Sequence, residues 1–275
     1  MAKQLVGHIK AIYRYPIKSM QGEPLNEITV DTSGLKNDRG FALRLNNGRI
    51  ASAKRTTSLL NYHAYYDAND LMIQLPSGET IAADQPYIDE RLSELLGIPV
   101  SLEKRHPEHN NFAELDSKTI FADTPIQEAL EGKKRQLPDD AVQYDLAQGS
   151  YFDSAHLHIL TTGTLKHLDN LLEGKSDLDV LRFRPNILVE SLPNLEGFIE
   201  DDWIDATLLI GQGIEIADIW PTLRCVMTTL PQQHLANDPS ILRKIVKSHD
   251  NHLGVFAKAV NSGNIKVGDE IHLIT

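Results

Sequence analysis

Short runs in which apolar and polar residues alternate fill the first hundred residues of the chain, and turn residues separate them. Alternation with a period of two predicts strands that bury one face. The predicted strands are Gly7–Tyr13, Glu27–Val30, Phe41–Leu45, Leu60–Tyr66 and Leu71–Leu75. Turn sequences such as Asn46-Asn47-Gly48 and Pro76-Ser77-Gly78 lie between the runs, which favours a small antiparallel sheet or barrel.

A helix is expected after these strands. The apolar stripe from Ile88 to Leu96 has helical spacing, with Asp84 as its predicted N-cap and Gly97 as its predicted end. From residue 104 to residue 149 the periodicity fades, so surface connections are predicted there, including Lys133–Arg135 and Pro138–Asp140. Because so long a connection in a compact protein is often functional, we expect it to lie over a cleft.

The second half of the chain returns to the strand pattern. Its predicted strands are His156–Thr161, Asn186–Val189, Thr207–Ile210, Ile214–Ile219, Gly254–Val260 and Glu270–Ile274, with a turn at Ser262–Asn264. Two helices are expected among them, one over Leu165–Leu172 with Thr162 as its cap and one that begins at Asp238-Pro239. The chain is therefore predicted to be mainly β with some α, as a small N-terminal β-barrel followed by a second β-barrel with covering helices.

Charge and composition narrow the classes of function. The formal net charge of −11 argues against a general nucleic-acid binder, because affinity for phosphate backbones depends on a positive field. The first ten residues lack the apolar core of a signal peptide, and no run approaches the roughly 18 apolar residues of a membrane helix. We therefore expect a cytoplasmic protein that binds neither nucleic acid nor membrane.

Four short motifs place cationic or hydroxyl side chains beside turn residues. They are Y-P-I-K-S-M from Tyr15, N-D-R-G-F from Asn37, R-F-R-P-N from Arg182 and T-L-R-C from Thr222. Arginine presents a planar fork of donors to phosphate oxygens, lysine a point charge and serine or threonine a hydroxyl. If the four motifs converge, they form a pocket for a phosphorylated ligand. Pro185 is expected to hold Arg184 in an extended conformation there.

The chain has a single cysteine, Cys225, directly after Arg224. An exposed thiol beside a cation favours the thiolate, which is a nucleophile and a soft metal ligand. An inert buried cysteine is an equal alternative at this stage, because free cysteine is among the most buried residue types.

Other chemistry is less favoured. His156 and His158 share one face of a predicted strand, but no third ligand at zinc-like spacing accompanies them. The acidic run Glu200–Asp202 is typical of a solvated turn. The chain also contains no nucleophile-elbow, P-loop or dinucleotide motif, so the corresponding hydrolase, nucleotide and nicotinamide functions lose ground.

Several longer stretches resemble one family. Y-P-I-K-S-M-Q-G, N-D-R-G-F-A-L, R-F-R-P-N-I-L-V, F-I-E-D-D-W, R-C-V-M-T-T and L-G-V-F-A-K-A-V-N-S-G-N-I-K-V-G-D-E-I occur in this order. Together they resemble a MOSC-domain protein with its N-terminal β-barrel companion, in the branch that contains the amidoxime-reducing components. The resemblance covers almost the whole chain except its middle, and it implies a companion domain over residues 1–104 and a MOSC domain over residues 120–275.

The resemblance also implies a cofactor and a set of residues. The cofactor is molybdenum bound to a pterin, with Cys225 as the catalytic metal ligand. The implied binders of the pterin and its phosphate are Lys18, Ser19, Arg39, Thr161, Thr162, Arg184, Asn186, Thr222 and Arg224.

The implied reaction removes oxygen from a small N-hydroxylated substrate, with electrons from a separate ferredoxin-like or flavin-containing protein. One cysteine leaves no ligand set for an iron–sulfur cluster, and two barrels leave no room for a pyridoxal phosphate domain. Two alternatives stay open. The first is a sulfur carrier or transferase with a persulfide on Cys225, which serves maturation of the cofactor. The second is a module that binds or stores the cofactor without turnover.

Overall fold

A computed structural model of the protein describes residues 2–106, 112–115, 142–145, 150–153 and 155–275. The connections expected at Lys133–Arg135 and Pro138–Asp140 lie outside these residues. The strands, numbered along the chain, are β1 (Lys3–Arg14), β2 (Glu23–Leu25), β3 (Glu27–Asp31), β4 (Gly34–Leu35), β5 (Phe41–Leu45), β6 (His63–Asp67), β7 (Asp70–Gln74), β8 (Thr80–Ala82), β9 (Val100–Lys104), β10 (Phe112–Leu115), β11 (Val142–Asp145), β12 (Leu157–Thr161), β13 (Ile187–Ser191), β14 (Thr207–Ile210), β15 (Ile214–Leu223), β16 (His252–Ala259), β17 (Gly263–Lys266) and β18 (Glu270–Ile274).

Helices are few in the described part of the chain, which confirms a mainly β fold with some α. They are α1 (Ile88–Leu96), α2 (Thr162–Leu171) and α3 (Pro239–His249), with short 3₁₀ turns over Thr57–Asn61, Val180–Arg182, Ile199–Trp203 and Val226–Thr228.

Seven strands close into a barrel in the order β13, β12, β16, β15, β14, β18, β1, with β1 pairing back to β13. The pair β12–β13 is parallel and the other pairs are antiparallel. A parallel pair needs a crossover connection, and α2 supplies it. The barrel therefore closes with the first strand of the chain, β1, and its interior is filled mainly by buried Ile, Val and Leu side chains.

Gly7 lies at the closing seam of the barrel, where β1 meets β13. A Cβ at this position would lie 2.3 Å from the carbonyl oxygen of Glu190, so only glycine permits the observed approach of the two backbones. We expect Gly7→Ala to lower the free energy of unfolding by about 1–3 kcal/mol, the usual range for overpacking. Urea denaturation measures this, with the exposed Lys10→Ala on the same strand as the control. Equal stability of the two variants would contradict the strand pairing at this seam.

A second core belongs to the N-terminal part of the chain. It is built from the two-stranded sheet of β5 and β9, the three-stranded sheet of β6, β7 and β8, and helix α1. Its buried side chains include Leu43, Leu60 and Ile73. Val226 and Leu230 from the C-terminal half are part of the same core. The segment that directly follows Cys225 is thus anchored in the N-terminal part.

The predicted strands Phe41–Leu45, Thr207–Ile210 and Glu270–Ile274 are confirmed with their bounds, and so is the start of α3 after Asp238. Other elements differ. The strand predicted over Leu60–Tyr66 begins later, at His63. Leu60 belongs instead to the 3₁₀ turn Thr57–Asn61, which precedes β6.

Two predicted caps and two predicted loops were also wrong. Helix α1 begins at Ile88 after Tyr87, so Asp84 does not cap it, whereas Gly97 ends it in the left-handed conformation as predicted. Helix α2 is capped by Thr161, one residue before the predicted cap. The predicted turn at Ser262–Asn264 is partly strand, because β17 pairs with β3. The middle segment, predicted as loop, contains the strand pair β10–β11.

In the described ranges, no helix is both long enough and apolar enough to cross a membrane.

Candidate active site

An open cavity lies where the end of β15, the segment before β12 and the loops of the N-terminal part meet. Its empty space, including the open solvent at its mouth, is about 720 Å³. Seven of the residues predicted from the sequence line it: Lys18, Ser19, Arg39, Arg184, Thr222, Arg224 and Cys225. The four basic motifs therefore do converge, although Lys18 and Cys225 lie at opposite ends of the series along the chain.

The lining is strongly cationic in an otherwise acidic protein. Six of the lining residues are cations, namely Lys18, Arg39, Lys54, Arg182, Arg184 and Arg224, and Asp153 contributes a carboxylate. Clefts lined by one sign of charge raise the local concentration of ions of the opposite sign. The cavity is therefore suited to an anion, despite the net charge of −11.

Arg39 is held rigidly at one wall of the cavity. Its Nη1 donates to the Asp38 carboxylate at 2.5 Å and to Asn186 Oδ1 at 3.2 Å. Its guanidinium also lies over the Tyr15 ring, 4.4 Å from the centroid, and over the Phe152 ring at 4.0 Å. A carboxylate partner and two aromatic faces hold the Arg39 guanidinium group in a fixed direction.

Arg184 is the residue whose backbone departs furthest from the prediction. Its φ is 53°, so the extended conformation expected before Pro185 is wrong. The Arg184 carbonyl accepts hydrogen bonds from Arg39 Nη2 at 3.4 Å and from the His158 ring, and these contacts override the local preference. Ser19 and Arg39 also have positive φ, and such strain in non-glycine residues is concentrated at functional sites.

Three buried polar atoms of the cavity have no hydrogen-bond partner in the described structure: Arg184 Nη1, Thr222 Oγ1 and Arg224 Nε. Leaving such atoms unpaired costs free energy, so they indicate a missing ligand. Burial lowers the pKa of Arg184 and that of Arg224 to about 10 each, which leaves both guanidinium groups charged at neutral pH. Two charged donors and one hydroxyl therefore converge with unused hydrogen-bonding capacity.

Cys225 lies at the same cavity and is half-buried. It is the N-cap residue of the 3₁₀ turn Val226–Thr228, yet its side chain makes no capping hydrogen bond. The sulfur is therefore not sealed among apolar side chains, and the helix-like turn does not depend on it. Of the two alternatives left open by the sequence, the accessible thiol beside cations is the one observed.

Lys18 and Ser19 form the opposite wall. Lys18 Nζ donates to the Tyr151 carbonyl at 2.9 Å and pairs with Asp153. Burial lowers the pKa of Lys18, and the Asp153 carboxylate opposes this effect. Ser19 Oγ accepts a hydrogen bond from the Ala53 amide at 3.1 Å, which fixes the loop that carries Lys54. Residues 151–153, which directly follow the connection predicted over residues 104–149, line the cavity. Most of that connection lies outside the described residues, so its expected position over a cleft stays a prediction.

Three predicted site residues do not line the cavity. Thr161 accepts from the Thr164 amide at 3.0 Å as the cap of α2, and Thr162 contacts Ser191. The Thr161 amide donates to buried Glu200, so the acidic run expected in a solvated turn is partly internal. Asn186 lies behind Arg39 and also accepts from the His158 amide at 3.2 Å, which makes it a support for the wall.

Sequence reasoning missed three residues that shape the site. His158 is buried beside Arg224, Asp38 holds Arg39, and Tyr15 lies between the Arg39 and Arg184 guanidinium groups. Tyr15 and Asp38 were inside the quoted motifs, so their position there was the available signal. His158 was considered for zinc, but no cluster of three or more His, Cys, Asp or Glu side chains with metal-binding geometry occurs among the described residues.

Comparison with known proteins decides the family. The profile described as the MOSC N-terminal beta barrel domain matches residues 6–108, and the profile described as the MOSC domain matches residues 147–272. The chain belongs to the MOSC-domain proteins. The cationic cavity of this MOSC protein is lined by residues from both matched segments.

Relatives of this MOSC protein include the "Mitochondrial amidoxime reducing component 2" of Macaca fascicularis, which is 24% identical over 292 residues, covering 98% of this chain and 84% of the relative. The "Mitochondrial amidoxime-reducing component 1" of Homo sapiens is 24% identical over 308 residues, with the same two coverages. A solved structure, the YUAD protein from Bacillus subtilis, aligns over 99% of this chain and 97% of its own with a TM-score of 0.49 and 10% identity.

Proposed function

We propose that this protein binds the molybdenum cofactor and reduces small N-hydroxylated substrates, such as amidoximes, by removing oxygen. The observation that carries the proposal is the group of three unpartnered polar atoms, on Arg184, Thr222 and Arg224, beside an accessible thiol in one cavity. Removing oxygen from an N–OH group consumes two electrons and two protons and releases water. The electrons are proposed to come from a separate donor protein, since one cysteine provides no ligand set for an iron–sulfur cluster.

The residues of the cavity fit the chemistry of this cofactor. Its phosphate is an anion that needs charged donors, and the Arg184 and Arg224 guanidinium groups with the Thr222 hydroxyl have unused hydrogen-bonding capacity. Its metal is bound by soft ligands, and Cys225 provides a sulfur ligand at the same cavity. When bound, the cofactor supplies the two-electron redox chemistry, while the protein supplies binding, orientation and electrostatics.

Aromatic residues at and beside the cavity orient the site and limit its hydration. Tyr15 and Phe183 are buried and lie against the Arg39, Arg184 and Arg224 guanidinium groups. Such aromatic faces hold the cations in place and keep water from them, so the electrostatic interaction with an anion is stronger than it would be in water. Lys18 extends the positive field to the other wall of the cavity.

The names of the relatives support the choice of substrate class. Two of them are called amidoxime reducing components, and each aligns with 98% of this chain. At 24% identity the alignment supports the class of reaction but not a particular substrate.

An assay of reduction tests the proposal. Protein purified anaerobically is mixed with an aromatic amidoxime and a reduced dye as an artificial electron donor, and formation of the amidine is followed. We expect turnover that depends on the protein and on the dye. Cofactor-loaded protein that reduces neither the amidoxime to the amidine nor an aromatic hydroxylamine to the amine would contradict the proposed reaction. Cyanide-releasable sulfur on Cys225 in protein without metal would instead support the sulfur-carrier alternative.

A further inference from the structure

His158 lies on β12 and lines the cationic cavity, and it is only 2% exposed. Its Nε2 is 3.3 Å from Arg224 Nη1, and its Nδ1 is 3.4 Å from the Arg184 carbonyl oxygen. The ring also packs edge-on against Phe256. A Cβ on Gly254 would lie 2.8 Å from Nε2, so the glycine leaves the ring just enough room.

Two contacts of the ring, with the Arg224 guanidinium group and the Arg184 carbonyl, indicate which nitrogen carries the proton. A guanidinium group only donates, so His158 Nε2 must accept from Arg224. A carbonyl oxygen only accepts, so Nδ1 must carry the hydrogen and donate to Arg184. A neutral imidazole with its hydrogen on Nδ1 satisfies both contacts. The imidazolium form would place an N–H group against a guanidinium group, which repels it.

The electrostatics of the surroundings agree with this form. Burial, followed by the Arg224 and Arg39 charges, holds the pKa of His158 well below its ordinary value, and backbone hydrogen bonds with Arg184 and Leu253 act in the opposite direction.

The same two hydrogen bonds act on the residues that have unused donors. Arg224 is held between His158 Nε2 and the Phe183 carbonyl, which accepts from Nη2 at 2.8 Å, and this leaves Nε unpaired. The Arg184 carbonyl is held by His158 and by Arg39 Nη2, and this fixes a backbone with a φ of 53°. The His158 ring therefore contacts the side chain of Arg224 and the backbone carbonyl of Arg184.

We propose that His158 is a positioning residue of the anion site, which fixes Arg224 and Arg184 for an anionic ligand through two separate hydrogen bonds. The inference rests on the proposed function only in that the cavity must bind an anion.

Two conservative variants separate the two hydrogen bonds. His158→Gln can keep an acceptor near the position of Nε2 and loses the donor at Nδ1, whereas His158→Asn keeps a donor near Nδ1 and loses the acceptor. His158→Leu loses both. The probe is inorganic phosphate, titrated by calorimetry into the full-length chain. We expect affinity to fall about threefold to tenfold for each of the first two variants, the usual effect of one hydrogen bond, and by roughly the product of both effects for the third.

A spectroscopic measurement on the unaltered protein accompanies the titrations, so the test does not depend on folding of the variants. Nitrogen-15 chemical shifts of the His158 ring are expected to show a protonated Nδ1 and an unprotonated Nε2 at neutral pH. A proton on Nε2, an imidazolium ring, or unchanged phosphate affinity in folded His158→Leu would overturn the inference alone. Wild-type protein with no affinity for phosphate would overturn the anion site, and with it the proposed function.

Discussion

Cys225→Ala is expected to abolish reduction of N-hydroxylated substrates while the protein stays folded. Cys225 is the residue that brings a soft ligand to the cavity, and it shares that cavity with Arg184, Thr222 and Arg224. Turnover should fall by about 10³-fold or more, the scale seen when a reacting group is removed. The free energy of unfolding should change by about 1 kcal/mol or less, because the side chain is half-buried and makes no capping hydrogen bond.

Cys225→Ser is the matched variant for this prediction. Serine keeps the size of the side chain and a hydroxyl group, but oxygen is a harder ligand than sulfur. We expect it to be as inactive as the alanine variant, with the same unfolding midpoint. The measurements are amidine formation and thermal unfolding of both variants. Wild-type turnover by Cys225→Ala would contradict a role of this thiol in the reaction.

Two neighbouring arginines are expected to respond to substitution in opposite directions. Arg184→Gly should raise the free energy of unfolding by about 1–2 kcal/mol, because glycine accepts positive φ at little cost and a buried charge is removed. The sign follows from the pKa of Arg184, which burial lowers to about 10. A base whose pKa is lower in the folded state binds its proton less tightly there, so its charge destabilises the fold at neutral pH.

Arg182→Leu should lower the free energy of unfolding by about 3 kcal/mol or more, because three carbonyl groups lose their donor. Arg182 donates to the carbonyls of Asp177 at 2.7 Å, Leu230 at 3.4 Å and Ala236 at 2.8 Å. It is thus structural, although it lines the same cavity.

Denaturant unfolding and the content of bound pterin, measured on both variants, test this pair. Arg184→Gly should retain little pterin despite its greater stability, whereas folded Arg182→Leu should retain more of it. A loss of stability in Arg184→Gly as large as that in Arg182→Leu would show that Arg184 supports the fold rather than a ligand.

Much of the fold followed from hydrophobic periodicity. Strands with one buried face, such as Glu270–Ile274, were predicted with their bounds because the alternation of polar and apolar residues follows their burial. The pairing of the first strand with β13 and β18 was not predictable, since it joins residues far apart in the sequence. The pair β10–β11 was missed because each strand is only four residues long, which is too short for a periodic pattern to stand out.

The sequence predicted which chemical groups form the site better than it predicted their conformations. The basic motifs named most residues of the cavity, because cations beside turn residues are conspicuous in an acidic chain. The positive φ of Arg184 could not be predicted, because it depends on hydrogen bonds from His158 and Arg39. Thr161 and Thr162 are typical of binding loops and of helix caps alike, and only the position of α2 separates the two roles.

The most direct measurement is the molybdenum and pterin content of the protein, isolated anaerobically from a host that makes the cofactor. We expect molybdenum and pterin in equal, near-stoichiometric amounts in the wild type, with molybdenum lost in Cys225→Ala and pterin lost in Arg184→Gly. Wild-type protein that contains neither, although it is folded and was produced with the cofactor available, would contradict the assignment of this cavity to a molybdenum cofactor.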